Sequence, residues 1–481
     1  MSHYDVAVVG YGPTGVTAAN LLGALGVSTL VVERDPEVYG RARAISTDEE
    51  IVRIWQRIGL ADELTRDMVP DLPISFVDQR GRSFYDAAFT SRGHGYPPQL
   101  FIYQPALETT LRQGVKRHPN VTVRLGAACQ AIRQRPDAVE LDLSDGAETA
   151  RYVIAADGGS SPIRGQLGVR FDGRTYEDRW VVVDTKVKRD WPGHDRLRFH
   201  CDPARPAVDC PTPLGHHRWE FPVLPGESEQ QLTQDVWRLL ARYGITDEHV
   251  DILRAVVYSH HVRVAERWRV GRVFLAGDAA HAMPPWIGQG MAAGVRDVAN
   301  LCWKLAGVLS GELSDSVLDS YEVERKPHVR ATMNRAAQVG RLITERRPAV
   351  TRTRDALLHR FGRSTWSQRL VMSRSWVPEA HYTKGFVERG RAAGRKIPQP
   401  WVLDARGDRR RLDDVIGPGW AVLSLRDEAG AVTVLPPGSA ARAGCVVDIA
   451  GTLIAWLRRH RAETITLRPD GFVHSSRKRT P

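Results

Sequence analysis

Tyr4-Asp-Val-Ala-Val-Val9 is an apolar, β-branched run, and Gly10-Tyr-Gly12-Pro13-Thr14-Gly15 follows it directly. Val16 to Leu25 is then rich in Ala and Leu, so the opening predicts a strand, a tight turn and a helix. A second β-branched run, Ser28-Thr-Leu-Val-Val32, ends at Glu33 and Arg34. Further along, the pattern predicts a helix from Gln104 to His118 and strands from Val121 to Leu125 and from Tyr152 to Ala155. Trp180 to Val187 and Arg218 to Leu224 alternate imperfectly between apolar and polar positions, which predicts a half-buried sheet. Ala292 to Leu309 reads as a largely apolar helix, with Arg296, Asp297, Asn300 and Lys304 expected on a solvent or cap face. Long helices are expected between Asp315 and Arg347. Strands at Trp401–Asp404, Trp420–Leu425 and Thr464–Gly471 then predict a small α/β unit over 395–481.

The first turn carries chemistry. Its glycines permit a tight bend, close approach of backbone to a pyrophosphate and close packing of helix on strand. The helix N-terminus offers unpaired N–H groups and partial positive charge to the anion. Glu33, at the end of the second strand, suits a ribose hydroxyl pair and disfavours a 2′-phosphate. This motif alone fits NAD or FAD equally.

Two later motifs choose between them. Tyr152-Val-Ile-Ala-Ala-Asp157-Gly158-Gly-Ser160 and Arg272-Val-Phe-Leu-Ala-Gly277-Asp278-Ala-Ala-His281 each lead from an apolar run into an acid-glycine pair. With the first turn they resemble the class A flavoprotein monooxygenases, the FAD-dependent aromatic hydroxylases typified by p-hydroxybenzoate hydroxylase and phenol hydroxylase. The resemblance implies that Asp278 binds the ribityl chain and that Asp157-Gly158 serves both flavin and nicotinamide cofactor. Pro284-Pro285-Trp-Ile-Gly288-Gln289-Gly290-Met291 reads as a loop feeding a helix N-terminus. In the family that terminus faces the N1 and C2 edge of the flavin, where it stabilises the reduced ring's charge, and the prolines wall the ring. Arg43 and Gln104 match positions that contact the ribityl and phosphate groups, with Arg41 a rival for the role of Arg43. Within the family, Cys201-Asp-Pro-Ala-Arg-Pro206 and Trp219-Glu-Phe-Pro-Val-Leu-Pro-Gly226 resemble the branch that hydroxylates 3-(3-hydroxyphenyl)propionate.

The implied fold is α/β, a Rossmann-like FAD-binding domain over 1–70, 101–170 and 266–345. A β-sheet substrate domain over 71–100 and 171–265 is inserted in it, and a thioredoxin-like domain over 395–481 closes the chain. Without Cys-x-x-Cys that last domain does no dithiol chemistry, which leaves packing or homodimer contacts. The implied reaction is reduction of FAD by NADH or NADPH, addition of O₂ to give a flavin C4a-hydroperoxide, and ortho-hydroxylation of a phenol bearing a short acidic chain. A tailoring monooxygenase of a polyketide or antibiotic pathway uses the same motifs, and a non-catalytic flavoprotein is a third reading, opposed by the intact Pro284–Met291 loop. A phenol reacts faster as phenolate, so a base is expected; His200, His216 and His217 are the candidates, and the sequence does not choose among them.

Composition narrows the partners. The chain has 481 residues, 42% of them apolar, and no stretch approaches about 18 uninterrupted apolar residues, so no membrane span is expected. The first strand begins by residue 4, which leaves no room for a signal peptide and predicts a cytoplasmic protein. The formal charge is +11, but basic residues are mixed with acids, as in Glu322-Val-Glu-Arg-Lys326, so no nucleic-acid partner is implied. Five scattered cysteines make neither a disulfide framework nor a zinc site, and adjacent His216 and His217 diverge on a strand rather than converge on a metal.

Overall fold

A computed structural model describes residues 3–38, 40, 42–87, 89–361 and 377–478. The strand His3–Val9 lies between Gly146–Ala155 and Thr29–Glu33, parallel to both, with Val6 opposite Tyr152 on one side and Thr29 on the other. Val121–Leu125 extends this parallel sheet beyond Thr29–Glu33, and Val273–Leu275 extends it beyond Gly146–Ala155. Helices cover both faces, which is why its central strands are continuous apolar runs: Val6, Val8, Leu30, Val31, Val153 and Ile154 are wholly buried. The helices Pro13–Ala24 and Gln104–Val115 form where expected, the second ending three residues before His118.

A second sheet of eight strands stands against the first unit. Its centre is the antiparallel set Val250–Ala265, Phe171–Val187, His216–Pro222, Ala207–Thr212 and Leu197–His200, and Ile74–Val77 with Ser83–Ala87 completes one edge. Residues from the 71–100 stretch thus join the same sheet as those from 171–265. One face of this sheet is sealed by Leu232, Leu239 and Leu240 of two short helices and by Val236 between them, packed on Trp191, Trp219 and Phe221. The other face looks towards the parallel sheet. The C-terminal residues form a mixed sheet of seven strands from Trp401–Leu403 to Val473–Lys478, with the helix Thr452–Arg459 packed on it.

The helix Gly290–Leu309 departs from its sequence reading in two ways. It starts two residues before Ala292, and its polar stripe is not a solvent face: Arg296, Asp297, Asn300 and Lys304 are 5%, 0%, 2% and 0% exposed. The reason is tertiary. Ser320–Thr344 and Glu49–Arg57 pack on that side, and each polar group meets a partner there. Lys304 Nζ lies 2.8 Å from Glu324, which Arg468, just past the strand Ala462–Leu467, also grips at 2.9 Å. Burial alone would raise Glu324, but Lys304 and Arg468 outweigh it and hold the carboxyl down to about 2. Buried charges are tolerated only when paired in this way.

Candidate functional site

A cavity of about 310 Å³ lies between the two sheets, bounded on one side by the first glycine turn and on the other by the apolar face of the second sheet. Gly12, Pro13, Thr14, Arg43, Gln104, Gly158, Asp278, Pro285, Gly288, Gly290 and Met291 all line it. Residues distant in sequence therefore converge on one space.

The glycines of the first turn do different work. Gly10 has φ +99° and no room for a Cβ, which would fall on the Ala156 carbonyl; a Cβ on Gly15 would fall on the Gly10 carbonyl. Gly12 differs, because a Cβ there meets nothing within 4 Å. It leaves an open stretch of backbone facing the cavity, at the start of a helix whose N-cap makes no side-chain hydrogen bond. Such a terminus suits a pyrophosphate. Glu33 lies behind this turn, accepting from the Tyr11 amide at 2.7 Å and the Asp35 amide at 3.0 Å. It does not reach the cavity, and neither does Arg34, whose side chain is 77% exposed beside Asp35.

Gln104 positions Arg43. Its Oε1 accepts from the Arg43 amide at 2.8 Å and the Ala44 amide at 2.6 Å, while its Nε2 donates to Glu108 at 2.6 Å. From the second sheet, Arg218 and Arg254 donate to the Ala42 carbonyl, and Arg218 also to the Arg43 carbonyl at 2.8 Å. Arg41 lies outside the described residues.

Asp157 begins the turn in which Gly158 has φ +86°. One carboxylate oxygen accepts from the Ile163 amide at 3.2 Å, and the other is buried without a partner. Burial raises its pKa against the hydrogen bonds that lower it. Arg164 ties this turn to the next motif, donating to the Gly159 carbonyl at 2.8 Å and the Ala279 carbonyl at 2.9 Å. Asp278 is exposed into the cavity, and the preceding Gly277 amide is held by Asp297 at 3.1 Å. Asp297 also binds His281 at 2.7 Å and Arg325 at 2.9 Å, which overcome the effect of burial and lower its pKa.

The Pro285–Met291 loop packs by its glycines too. Gly288 has φ +63° and a Cβ there would strike Ser46 Oγ. Gly290 and Met291 open the 20-residue helix, whose N-cap Gln289 gives no side-chain cap, leaving its first amides towards the cavity. The Gln289 side chain points the other way. Its Oε1 accepts from Arg296 at 2.9 Å and its Nε2 donates to Asp48 at 3.1 Å. Arg296 also binds Asp48 at 2.6 Å and Glu50 at 2.7 Å, and Lys396 holds the far oxygen of Glu50 at 2.9 Å. A buried ionic chain therefore runs from the C-terminal region to the loop beside the cavity. Gly294, unmarked in the sequence, belongs to the same packing: a Cβ on it would collide with Thr14 Oγ1, and one on Gly277 would sit 2.6 Å from that atom.

The three histidines proposed as the base are not in the lining. Alternation along the sheet puts His200 and His217 on the face away from the cavity, where both bind the wholly buried Asp209, at 2.5 Å and 3.2 Å. His216 stacks on Tyr103 at 4.1 Å. The cavity face carries instead Ile74, Leu197, Phe199, Val208 and Glu220, with Trp286 and Ile287 opposite. The sequence reading missed these. Period-two alternation, applied to Arg218, Glu220 and Pro222, was the signal that could have found Glu220.

The described residues contain no cluster of His, Cys, Asp and Glu able to hold a metal, and no helix long and apolar enough to cross a membrane. Residues 3–336 match the family described as FAD binding domain, and residues 394–434 match the HcaD C-terminal domain. The chain is 38% identical to a 3-(3-hydroxy-phenyl)propionate/3-hydroxycinnamic acid hydroxylase of Burkholderia cenocepacia (strain HI2424), over 98% of this chain and 93% of that protein. A second hydroxylase of that name, from Burkholderia vietnamiensis (strain G4 / LMG 22486), is 39% identical over the same shares. Among solved structures, p-nitrophenol 4-monooxygenase of Pseudomonas putida DLL-E4 superposes with a TM-score of 0.71 at 28% identity, covering 77% of this chain and 97% of that one. Aklavinone-11 hydroxylase bound to FAD and aklavinone shares the fold, with a TM-score of 0.78 at 24% identity over 100% and 97% of the two chains. The open glycine backbone and the two uncapped helix starts fit a flavin dinucleotide, and the chain belongs to the FAD-dependent aromatic hydroxylases, in the branch of the 3-(3-hydroxyphenyl)propionate hydroxylases.

Proposed function

We propose that the protein hydroxylates a small phenol carrying an acidic side chain, of the 3-(3-hydroxyphenyl)propionate type, using FAD, O₂ and NADH or NADPH. The observation that carries this reading is the single cavity running from the glycine turn to an apolar sheet face. On this reading residues 1–70, 101–170 and 266–345 bind the cofactor, 71–100 and 171–265 enclose the substrate, and 395–481 braces the cofactor helix through Lys396 and Arg468. Gly12, Pro13 and Thr14 take the pyrophosphate, Glu33 the ribose side of the turn, Arg43 and Gln104 the phosphate and ribityl groups, Asp278 the ribityl chain, and the Asp157-Gly158 segment serves both flavin and nicotinamide cofactor. Pro285 and Gly288 to Met291 lie along the ring.

Bound FAD supplies hydride acceptance and oxygen activation. The chain's own part is to hold the ring edge against the uncapped amides at Gly290 and Met291, where fixed dipoles meet developing negative charge without reorganisation. Leu197, Phe199, Val208 and Trp286 exclude water and present an apolar wall to an aromatic ring. The protein acts in the cytoplasm on a small aromatic acid. The tailoring alternative is not adopted, because relatives at 36–39% identity carry the hydroxyphenylpropionate name.

Purified protein should show flavin absorbance, and 3-(3-hydroxyphenyl)propionate should speed its NADH or NADPH oxidation by roughly tenfold or more, since positioning a reactant contributes at least that much. Equal rates with and without the phenol, for both nicotinamides, would argue against this substrate class.

A further inference from the structure

Glu220 is the acidic side chain that the second sheet contributes to the cavity wall, and its neighbours there, Ile74, Leu197, Phe199 and Val208, are apolar. It stands on the strand His216–Pro222, directly opposite Val182 on one side and Val208 on the other. Among the described residues its carboxylate accepts no hydrogen bond. Arg218 Nη1 is 4.0 Å from its Oε1, but that guanidinium is committed to Asp184 at 2.7 Å and to the carbonyls of Ala42 and Arg43. A carboxylate on an apolar wall with unfilled acceptor capacity is costly unless something that enters the cavity completes it.

Resting on the hydroxylase reading above, we propose that Glu220 is the base that takes the proton of the substrate's phenolic hydroxyl. The phenol O–H bond breaks, an O–H bond forms on the Glu220 carboxylate, and the electron pair stays on the phenolate oxygen, raising electron density at the ring carbon ortho to it. That carbon receives the oxygen atom. The ring carbon then loses its own proton to the second oxygen atom of O₂, which leaves as water, and as aromaticity returns Glu220 gives its proton back to the phenolic oxygen, so the residue ends as it began. The same charge repels a propionate carboxylate, which orients the hydroxyl end of the substrate towards the sheet.

The surroundings suit a base. Burial raises the Glu220 pKa, Arg218 lowers it and Asp184 raises it. Cys210 on the neighbouring strand also feels Glu220, and Arg43 and Asp278 line the same cavity. A carboxylate made more basic by its pocket is better matched to a phenol than one in water. Gln99, also in the lining, has no proton-accepting form to offer, and Asp278 stands with the glycine turns rather than on the sheet.

The test uses FAD-loaded protein as wild type, E220Q and E220D. With 3-(3-hydroxyphenyl)propionate at neutral pH, E220Q should form the catechol about a hundredfold more slowly, the usual scale for a lost general base, and E220D should recover part of the rate. Wild-type kcat should fall on the acid side as Glu220 protonates; in E220Q that limb should vanish and the rate should climb with pH as the phenol ionises unaided. A ring-fluorinated phenol that is already ionised should restore most of the E220Q rate. Calorimetry gives a readout apart from turnover: wild type should bind the phenol about tenfold tighter than 3-(3-methoxyphenyl)propionate, and E220Q should bind the two alike. Wild-type hydroxylation in E220Q, or an equal loss with neutral and ionised phenols, would overturn the assignment. Wild-type protein that hydroxylates none of these phenols would overturn the underlying reading as well, and is told apart by needing no variant.

Discussion

Gly15→Ala protein should purify without its yellow colour. The new Cβ falls on the Gly10 carbonyl, a backbone atom that cannot rotate away, so the turn must open or the Pro13–Ala24 helix must lift from the strand. Either movement removes the open backbone at Gly12 and the Thr14 amide from the cavity. Flavin affinity should fall by at least about a hundredfold, roughly 2.7 kcal/mol, and the melting temperature should fall with it because the core packs through that contact. Gly12→Ala supplies the contrast. Its Cβ meets no protein atom, so the protein should melt near wild type in the absence of flavin, yet bind flavin more weakly because the methyl stands where the pyrophosphate approaches. Titration of apoprotein with FAD checks both. Equal affinity in Gly12→Ala and wild type would show that the dinucleotide does not lie along this turn.

Arg53→Met should be the most destabilising of the charge removals. Arg53 is wholly buried and binds Asp413 through Nε at 2.8 Å and Nη2 at 2.6 Å, while its Nη1 donates to the Ile397 carbonyl at 2.6 Å. Burial would raise the Asp413 carboxyl, but Arg53, aided by Arg57, holds it far below the usual range. Losing Arg53 strands that carboxylate in the interior, at a cost of about 3–5 kcal/mol. Urea denaturation should register this as an earlier midpoint, whereas Arg135→Met, which breaks an exposed pair with Glu140, should shift stability by less than about 0.5 kcal/mol. Matching midpoints in the two variants would mean that the C-terminal region is not fastened to the Glu49–Arg57 helix in the way described.

The elements legible in the sequence are those whose reasons are local. Gly10, Gly15, Gly158, Gly277 and Gly288 answer to backbone angles or close approaches within a turn, and the runs around them announce their strands and helices. What escaped was set by partners far along the chain. The stripe Arg296, Asp297, Asn300 and Lys304 looks like a solvent face until Glu50, Glu324, Arg325 and Lys396 are folded against it, and nothing near Arg53 reveals that its partner is Asp413, 360 positions away. The histidines drew notice because their chemistry suits a base, yet the sheet turns His200 and His217 to its far face. Glu220 sat inside a stretch already marked as typical of the branch. Only the register of the sheet separates it from Trp219 and Phe221, which point into the opposite core.

The central claim, that FAD held in this cavity inserts one atom of O₂ into a phenolic acid, is tested most directly by turnover under ¹⁸O₂. Protein supplied with NADH or NADPH and 3-(3-hydroxyphenyl)propionate should yield a dihydroxyphenyl product carrying a single ¹⁸O atom. Nicotinamide consumption that ends only in labelled hydrogen peroxide, or a product whose new oxygen comes from water, would contradict it.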